Sequence, residues 1–290
     1  MAKRFLSVLM MCLILSASVL AAHAETIIIY DGYSYSIKDN SSIVLEDWNT
    51  EISTTLTLPD SLVNRSFTGI ANRAFKNNTT LQGLDLSGAN HLERVGYESF
   101  TGCSGITTEL VLPASLKTIG ERSFSGCSGI PSLTVLGEVK VIPVECFYQC
   151  TSLTSVTLPQ SLETIQSWAF GGCTSLSYVE IPQSVTSISI NAFKNDPNLT
   201  LGVWFGSEGH RYAKEQNIPY VLLDEVMIGD ADGSGTVNIN DVTAIQQYIA
   251  EMAELDELSM KAADVTRDGA VTVDDATTIQ RYLAEYIDAL

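Results

Sequence analysis

The segment GDADGSGTVNIND, residues 229–241, carries the most chemically informative pattern in this sequence. Gly235 stands at position 6 of a twelve-residue loop, where a calcium-binding loop turns sharply. The spacing predicts a calcium site, and a solvated acidic surface turn is the alternative for a single copy. The oxygen-bearing side chains fall at positions 1, 3, 5, 9 and 12 of that loop: Asp230, Asp232, Ser234, Asn238 and Asp241.

A second copy of the loop begins 34 residues later and weakens the surface-turn alternative. The repeated positions are Asp264, Thr266, Asp268, Gly269, Thr272 and Asp275. The loops run into similar segments, DVTAIQQYIAE and DATTIQRYLAE, so we expect two loop–helix units packed face to face, bridged by a short helix in LDELSMKAAD. The expected inward residues are Val242, Ile245, Ile249 and Met252 in one helix and Ala276, Ile279, Leu283 and Tyr286 in the other.

A repeat of 23 to 25 residues between about residues 55 and 200 determines the expected architecture of the preceding part of the chain. A short strand in each unit predicts a solenoid, because a unit of this length cannot bury its own apolar face. The unit LTVLGEVKVIPVECF departs from the pattern, and we expect it to be shorter between strand and phenylalanine and to bend locally. The repeated phenylalanines are Phe75, Phe100, Phe124, Phe147, Phe170 and Phe193.

The strands of the repeat alternate inward and outward residues, so the outward ones should share one exposed sheet face. A flat, mixed polar face with an aromatic residue is typical of protein-binding solenoids, and a plain solvated face is the alternative. The expected face residues are Glu109, Val111, Ser155, Thr157, Tyr178 and Glu180.

The N-terminal segment has the pattern of a secretory signal peptide. Lys3 and Arg4 precede the apolar run FLSVLMMCLILSASVLAA, and small residues flank a cleavage point before Glu25. A signal anchor is the alternative, because the run approaches membrane-spanning length. We therefore expect residues 1–24 to be removed and the protein to be secreted, with no other stretch able to span a bilayer.

The charge of the chain limits its partners. The formal net charge is −18, and loss of the leader makes it −20, because the leader holds Lys3 and Arg4 and no acidic residue. Residues 224–290 alone contain 15 acidic and three basic residues. This balance argues against nucleic-acid binding and against attraction to anionic lipid.

Five cysteines remain after the leader, and four of them follow a repeat phenylalanine by three residues. The odd number favours buried free thiols, whereas disulfides, including one between Cys146 and Cys150, are the alternative. No sequence pattern of a hydrolase, kinase or zinc enzyme occurs, and His91 and His210 are too far apart to predict a zinc pair. We therefore expect no catalysis.

The repeats resemble the BspA-type leucine-rich repeat family, whose units read like SLETIQSWAFGGCTSLSYVEIP here. The resemblance covers roughly residues 43–222. The strand-rich segment before the repeats looks like the family's β-hairpin cap, and GSEGHRYAKEQNIPYVLL looks like its terminal cap with a short helix. The family implies extracellular protein or surface binding and adhesion.

The duplicated loops and their helices resemble a type I dockerin over residues 228–287, because no helix precedes the first loop as it would in a calcium-sensor EF-hand. The family implies two calcium ions and binding to a cohesin module of a scaffoldin. Thr266 stands where Asp or Asn is more usual, and fewer charged ligands would weaken the second site. The resemblance assigns the ions to Asp230, Asp232, Ser234, the Thr236 carbonyl, Asn238 and Asp241, and to Asp264, Thr266, Asp268, the Ala270 carbonyl, Thr272 and Asp275.

The dockerin resemblance also implies which residues select the cohesin, at positions 10, 11, 17, 18 and 22 of each repeat. Ordinary exposed polar positions are the alternative for these residues. Because the two sets agree only in part, a rotated second binding mode is left open. They are Ile239, Asn240, Gln246, Gln247 and Glu251, and Val273, Asp274, Gln280, Arg281 and Glu285.

The expected fold class is α+β: a β-rich leucine-rich-repeat solenoid with a capping hairpin and terminal helix, followed by a small all-α dockerin with paired F-hand loop–helix repeats. The expected domains are a signal peptide over residues 1–24, the repeat domain over 25–222 and the dockerin over 223–290. We expect a non-catalytic, extracellular protein, held at a cell surface through a scaffoldin, whose repeats bind an unidentified protein or surface ligand. A glycan-active or protease-inhibitory repeat domain is the alternative.

Overall fold

The computed structural model describes residues 26–30, 33–37, 43–48, 55–57, 67–86 and 88–290. The leader predicted over residues 1–24 lies outside the described residues. The chain divides into two compact units, Met1–Leu222 and Leu223–Leu290, and each is described by itself.

The first unit begins with an antiparallel hairpin, as the sequence predicts. Its strands β1 (Thr26–Tyr30) and β2 (Tyr33–Ile37) pair antiparallel, and β2 also pairs antiparallel with β3 (Ile43–Trp48). β3 then pairs in parallel with β5 (Phe67–Ile70). The hairpin therefore covers one end of a parallel stack, where the edge of the first repeat would otherwise be open.

From residue 110 onward the repeats contribute strands to a main parallel sheet, and the second, two-residue strands of the repeats lie in two other sheets. The main sheet has six strands in the order β17-β16-β14-β12-β10-β8. Its strands are β8 (Leu110–Leu112), β10 (Ser132–Val135), β12 (Ser155–Thr157), β14 (Tyr178–Glu180), β16 (Thr200–Val203) and β17 (Tyr220–Leu222). The second strands are β7 (Arg94–Val95), β9 (Thr118–Ile119), β11 (Val141–Ile142), β13 (Thr164–Ile165) and β15 (Ser187–Ile188). A further parallel pair joins β4 (Thr55–Thr57) to β6 (Gly83–Asp85).

The phenylalanine column runs through the core as a continuous stack. Neighbouring rings from Phe75 to Phe193 lie 4.9 to 5.4 Å apart between centroids and within 9° of parallel. This spacing follows from one phenylalanine per repeat and one strand spacing between repeats. The stack makes the repeats mutually dependent, because each inner ring packs against the rings of the repeats before and after it.

The cysteine column runs beside the phenylalanines as free thiols, which agrees with the prediction. All five described cysteines are buried and unpaired with one another. The thiol of Cys103 donates to the carbonyl of Phe75 at 3.0 Å, and that of Cys150 donates to the carbonyl of Phe124 at 3.3 Å. Burial raises the pKa of the Cys150 thiol to about 12, so the reactive thiolate is disfavoured.

The unit LTVLGEVKVIPVECF is not shorter than its neighbours, contrary to the prediction. Leu133 pairs in register with Leu110 before it and Val156 after it, so the main sheet passes through without a bend. The departure lies in the second sheet, whose pairing stops between β9 and β11. Gly120 and Gln166 donate their N–H groups to the preceding unit at 2.8 and 2.9 Å. Pro143 occupies the equivalent position and has no N–H to donate.

Asp196 occupies the last position of the cysteine column and places a carboxylate where the four preceding repeats have a thiol. Neither of its side-chain oxygens has a hydrogen-bond partner, and both are shielded from water. The nearby N–H groups of Cys173 and Gly172 already donate to the carbonyls of Phe170 and Lys194, at 3.2 and 2.8 Å. Burial therefore raises the pKa of Asp196 from 3.8 to about 7.

Substituting Asp196→Cys is expected to stabilise the first unit at pH 8 by about 1–3 kcal/mol, because it replaces a buried unpartnered carboxylate with a thiol that suits the column. A raised folded-state pKa means that the contribution of Asp196 to wild-type stability is fully present below about pH 4 and is lost as pH rises through about 7. The gain should therefore be larger at pH 8 than at pH 5, as measured by urea unfolding.

Asn78→Cys is the matched control for this substitution, because Asn78 occupies the same column position in the first repeat. Its Oδ1 accepts hydrogen bonds from the N–H groups of Thr80 and Leu81 at 3.1 and 3.0 Å. A thiol cannot replace them, so this change should destabilise the unit. A gain from Asp196→Cys that is the same at both pH values would contradict the assigned charge.

The first unit ends with helix α1 (Glu208–Gln216), as the sequence predicts. Ser207 caps its first turn by accepting a hydrogen bond from His210 N–H, and Asn217 ends it in the left-handed conformation. Tyr212 and Ala213 are buried against the last repeat and close the core. A terminal cap is required because the final repeat has no following unit.

The second unit consists of three helices and two loops. α2 (Ile239–Ile249) and α4 (Val273–Leu283) pack against each other, and α3 (Glu257–Ala263) connects them. No helix lies within residues 223–238, which precede α2. The solenoid followed by a small helical unit confirms the expected fold class. Among the described residues, no helix combines the length and apolarity needed to cross a membrane.

The helices of the second unit end one turn earlier than predicted. Val242, Ile245, Ala276 and Ile279 are buried, as expected, whereas Ile249 and Leu283, which were also predicted to face inward, are exposed. Met252 and Tyr286 were predicted to face inward, but they are 77% and 79% exposed. The reason is local: the preceding residue in each repeat adopts a left-handed conformation, which ends the helix and turns the chain outward.

Candidate metal site and docking surface

The first loop brings three carboxylates together just before α2. One oxygen from each of Asp230, Asp232 and Asp241 lies within 4.8 Å of the other two. Asp241 is fully buried, Asp230 is nearly so, and Asp232 is exposed. Three hard oxygen donors converging at a partly open position fit a calcium ion.

Backbone N–H groups hold these carboxylates in place. Asp230 accepts from the N–H groups of Ser234 and Gly235 at 2.9 and 2.8 Å. Asp241 accepts from Asp232 and Asn238 at 3.0 and 2.7 Å. Gly235 has φ of +84°, which explains why glycine is needed at this turn.

Asp241 also belongs to the first turn of α2. Asn238 is the N-cap residue and accepts from Asn240 N–H at 2.8 Å, while Asp241 accepts from Asn238 N–H. This reciprocal capping box starts the helix at the end of the loop. The residue at position 12 of the loop therefore couples the loop's geometry to the start of the helix.

The remaining first-loop residues lie beside the carboxylates. The hydroxyl of Ser234 lies 3.4 Å from Asp230 Oδ1 and 3.3 Å from the carbonyl oxygen of Thr236. The side-chain amide of Asn238 donates to the same carbonyl at 3.0 Å. Its Oδ1 accepts the capping hydrogen bond from Asn240 N–H and keeps a second lone pair.

The second loop repeats the framework with one chemical difference. Asp264 accepts from Asp268 and Gly269 at 3.1 and 3.0 Å, and Asp275 accepts from Thr266 and Thr272 N–H groups at 3.0 and 2.8 Å. The Thr266 hydroxyl also donates to Asp275 Oδ1 at 3.0 Å. Ala270 donates its N–H to Asp268 at 2.9 Å.

The number of charged ligands does not distinguish the loops, contrary to the expectation from Thr266. Each loop has three aspartates at ligand positions, because Asp268 stands at position 5 where the first loop has Ser234. The difference is their proximity: within the described residues, only the first loop gathers three acidic groups at metal-binding distances. The weaker second site stays a prediction, and its basis would be the arrangement of the carboxylates.

The terminal aspartates of the two loops differ in their electrostatics. Burial and the neighbouring charge of Asp232 raise the pKa of Asp241, although backbone N–H groups oppose the shift. Burial also tends to raise the pKa of Asp275, but hydrogen bonds from the backbone and hydroxyl groups of Thr272 and Thr266 outweigh it and lower the pKa. The first loop therefore holds repulsion that a cation would relieve.

Thr266→Asp is expected to tighten calcium binding at the second loop about tenfold, because it replaces a competing hydroxyl donor with a carboxylate. Calorimetric titration of the full chain would measure both sites. Thr277→Asp adds the same charge on the exposed surface of α4 and is the matched control. Equal changes in the two variants would show that net charge, rather than the ligand at position 3, sets affinity.

The ten residues that the sequence predicts as a docking surface are all exposed on or beside α2 and α4. Ile239 and Val273, at equivalent positions, are 59% and 63% exposed although both are apolar. Glu251 and Glu285 have φ of 56° and 59°, an uncommon conformation for residues other than glycine. The duplicated surface thus combines exposed apolar residues with two strained glutamates.

Sequence reasoning missed two members of this duplicated surface. Met252 and Tyr286 follow Glu251 and Glu285 and project into solvent. Helical periodicity assigned both to the interior. A signal was available at the end of the apolar stripe of each helix. Met252 and Tyr286 would continue the stripe only if each helix had one more turn, and the structure lacks that turn.

The repeat face is also formed as predicted. Glu109, Ser155, Thr157, Tyr178 and Glu180 are exposed, and Val111 is half-buried. The strands that carry them pair in parallel and in register from β8 to β14. The face is mostly polar, and it is separate from the loop cluster in sequence.

Two segments of the chain match known families. Residues 68–200 match the BspA type Leucine rich repeat region in six copies, and residues 228–284 match the Dockerin type I domain. No curated protein matches the chain.

Several solved structures are similar to the repeat part. A leucine rich cell surface protein from Faecalibacterium prausnitzii is 22% identical, with a TM-score of 0.45, over 65% of this chain and 56% of that one. A T. pallidum leucine rich repeat protein is 20% identical, with a TM-score of 0.38, over 61% and 71%. One from Eubacterium ventriosum is 21% identical, with a TM-score of 0.38, over 60% and 51%. The chain thus spans about half the length of the first and third, and these similarities carry no functional argument.

Proposed function

Because this chain carries a BspA-type leucine-rich repeat region followed by a type I dockerin domain, we propose that it is a non-catalytic, secreted protein that docks to a cohesin module of a scaffoldin. The proposed domains are a signal peptide over residues 1–24, the repeat domain over 25–222 and the dockerin over 223–290. Docking would place the protein outside the cell on a scaffold and leave the repeat face free to bind a ligand.

The observation that carries this proposal is the dual position of Asp241. Its carboxylate belongs to the acidic cluster of the first loop and to the capping box of α2. A calcium ion offsets the charge of such a cluster, and this stabilises the loop conformation that begins the helix. Metal binding is thereby linked to the helices that carry the docking residues.

The proposal includes two calcium ions. In the first loop, Asp230, Asp232 and Asp241 would hold the ion with Ser234, Asn238 and the Thr236 carbonyl. In the second, Asp264, Asp268 and Asp275 would act with Thr266, Thr272 and the Ala270 carbonyl. The equivalent backbone hydrogen bonds in both loops support this assignment.

The docking surface would use the exposed residues of both repeats. Ile239 and Val273 offer apolar contact at equivalent positions, and the exposed polar residues Gln246 and Gln280 lie on the same helices. Charged Arg281 and Asp274 distinguish the second repeat from Gln247 and Asn240 of the first. These differences would set the preferred orientation on the partner.

A capture experiment with immobilised type I cohesin tests the proposal. The full chain should bind the cohesin in the presence of calcium, and this binding should be lost after chelation. The double variant Ile239→Asp with Val273→Asp should bind at least tenfold more weakly, because it places charges in an apolar contact.

The double variant Thr243→Ala with Thr277→Ala is the control, since both residues are exposed at equivalent helix positions outside the proposed surface. It should bind like the wild type. Binding that survives complete calcium removal would contradict the docking proposal, and turnover of a polysaccharide or protein by the purified chain would contradict its non-catalytic part.

A further inference from the structure

Tyr178 has an unusual placement on the main sheet of the repeats. On the next strand, β16, Gly202 is the register partner of Glu180. A Cβ atom added at Gly202 would overlap the Tyr178 hydroxyl and lie 3.0 Å from Tyr178 Cζ. The ring therefore reaches over the adjacent strand and lies along the sheet, a position that any side chain at residue 202 would block. It remains 39% exposed, so part of the ring is open to solvent.

Glu180 fixes the orientation of this ring. The Tyr178 hydroxyl donates to Glu180 Oε1 at 3.2 Å. Glu180 follows Tyr178 by two residues, so both project from the same face of β14. An aromatic surface is thus held beside a carboxylate that has further acceptor capacity.

Hydroxyl groups surround the ring in regular rows. Ser155 and Thr200 are the register partners of Tyr178 on either side, and Ser132 pairs with Ser155. Thr134 and Thr157 form a second paired row. This hydroxyl face, defined by these five residues with Tyr178 and Glu180, offers donors and acceptors at the spacing of the strands.

The size of the hydroxyl face favours a narrow ligand. The hydroxyl face crosses four strands, β10, β12, β14 and β16, which at a spacing of about 4.8 Å extend about 14 Å, and strands of about three residues are about 10 Å wide. The resulting area of about 140 Å² is well below the roughly 800 Å² that each partner contributes to a specific protein–protein interface. A single polymer chain laid along the face fits these dimensions better than a globular protein.

The charge of the face favours an uncharged chain. The outward residues of β8, β10, β12, β14, β16 and β17 include no lysine or arginine in the described sheet. Carboxylates at Glu109 and Glu180 would repel a polyanion. A neutral, hydroxyl-rich chain can exchange hydrogen bonds with the rows and place an apolar surface on the ring.

We propose that the hydroxyl face binds a single uncharged polysaccharide chain, with one sugar stacked on Tyr178 and its hydroxyl groups hydrogen-bonded to Glu180 and the neighbouring Ser and Thr side chains. This inference deepens the proposed function by assigning a ligand class to the displayed repeat face. The docking module would then hold a polysaccharide-binding surface on the scaffold.

The test is affinity electrophoresis of the full chain in gels containing soluble mixed-linkage β-glucan, xyloglucan or galactomannan. At least one should retard the wild type. Tyr178→Ala should weaken binding at least tenfold, whereas Tyr178→Phe, which keeps the ring, should remain within about threefold. Tyr148→Ala is the aromatic control, because Tyr148 packs edge-on against Trp168 elsewhere in the repeats. Thermal unfolding would verify that each variant is folded.

Several results would overturn this inference. One is that none of the three polysaccharides retards the wild type. Another is that the wild type and Tyr178→Ala are retarded equally. Salt-sensitive binding of oligolysine that is lost in Glu180→Gln, without polysaccharide binding, would assign the face to a basic protein segment. Calcium-dependent capture by cohesin, measured on the same variants, is expected to be unchanged, so failure here is distinguishable from failure of the docking proposal.

Discussion

Replacing Asp241 by asparagine is expected to weaken calcium binding at the first loop at least 100-fold. The substitution removes one of the three carboxylates that lie within 4.8 Å of one another. It also turns one acceptor into an amide donor, although both oxygens now accept backbone N–H groups, from Asp232 and Asn238. One of those buried N–H groups would lose its partner at a cost of about 1–3 kcal/mol.

The Asp241→Asn substitution should reduce helix content as well as calcium binding. Because Asp241 closes the capping box of α2, the variant should show less helix by circular dichroism at limiting calcium. Calorimetric titration would give the number of sites and their affinities. Cohesin capture should fall in parallel if calcium controls the docking surface through this helix.

Asp275→Asn supplies the comparison at the equivalent position of the second loop. The loss of calcium affinity should be smaller in Asp275→Asn than in Asp241→Asn. The reason is that the Thr266 hydroxyl already donates a hydrogen bond to the Asp275 carboxylate and satisfies part of it. Asp256→Asn is the control, since Asp256 caps α3 outside both loops and asparagine caps nearly as well. Two unchanged calcium sites in Asp241→Asn would contradict the assignment of this residue as a ligand.

The parts of the fold set by periodicity could be predicted from the sequence. One phenylalanine per repeat leads directly to the stacked column, because the same position in each unit must face the same core. The backbone turns of the two acidic loops were predictable for a similar reason: such turns require residues at fixed positions, including Gly235 and Gly269. In both cases the constraint appears as residue spacing.

Features that depend on a single interaction could not be predicted in this way. The ends of α2 and α4 were missed because Glu251 and Glu285 adopt a conformation usually signalled by glycine. The break in the second sheet depends on the missing N–H of Pro143. The inequality of the two loops depends on which groups surround Asp241 and Asp275, and a count of acidic residues does not show it.

The candidate surfaces illustrate the same limit. Alternation along the strands predicted that Tyr178 faces outward, but only the structure shows that its ring lies across Gly202. An outward aromatic residue alone does not specify a ligand. The flat ring, the adjacent carboxylate and the narrow hydroxyl rows together restrict the ligand class.

Phe124→Ala is expected to destabilise the first unit by about 3–5 kcal/mol, a large fraction of the stability of a typical domain. Phe124 is fully buried, and its ring stacks between Phe100 and Phe147 at 5.2 and 5.4 Å. Removing it leaves a cavity in the middle of the column and weakens the contacts of the repeat with both neighbours. Urea unfolding monitored by tryptophan fluorescence reports this unit selectively, because Trp48, Trp168 and Trp204 all precede residue 223.

Phe193→Ala is the matched control at the end of the column. Phe193 stacks on Phe170 on one side, but its other neighbour is the tilted ring of Tyr212, at 6.1 Å and 57°. Because only one repeat interface depends on it, its loss should cost less than that of Phe124. Similar losses for both variants would mean that the repeats do not depend on stacking from both sides, and a larger loss for Phe193 would identify the terminal cap, rather than the central column, as the limiting element of stability.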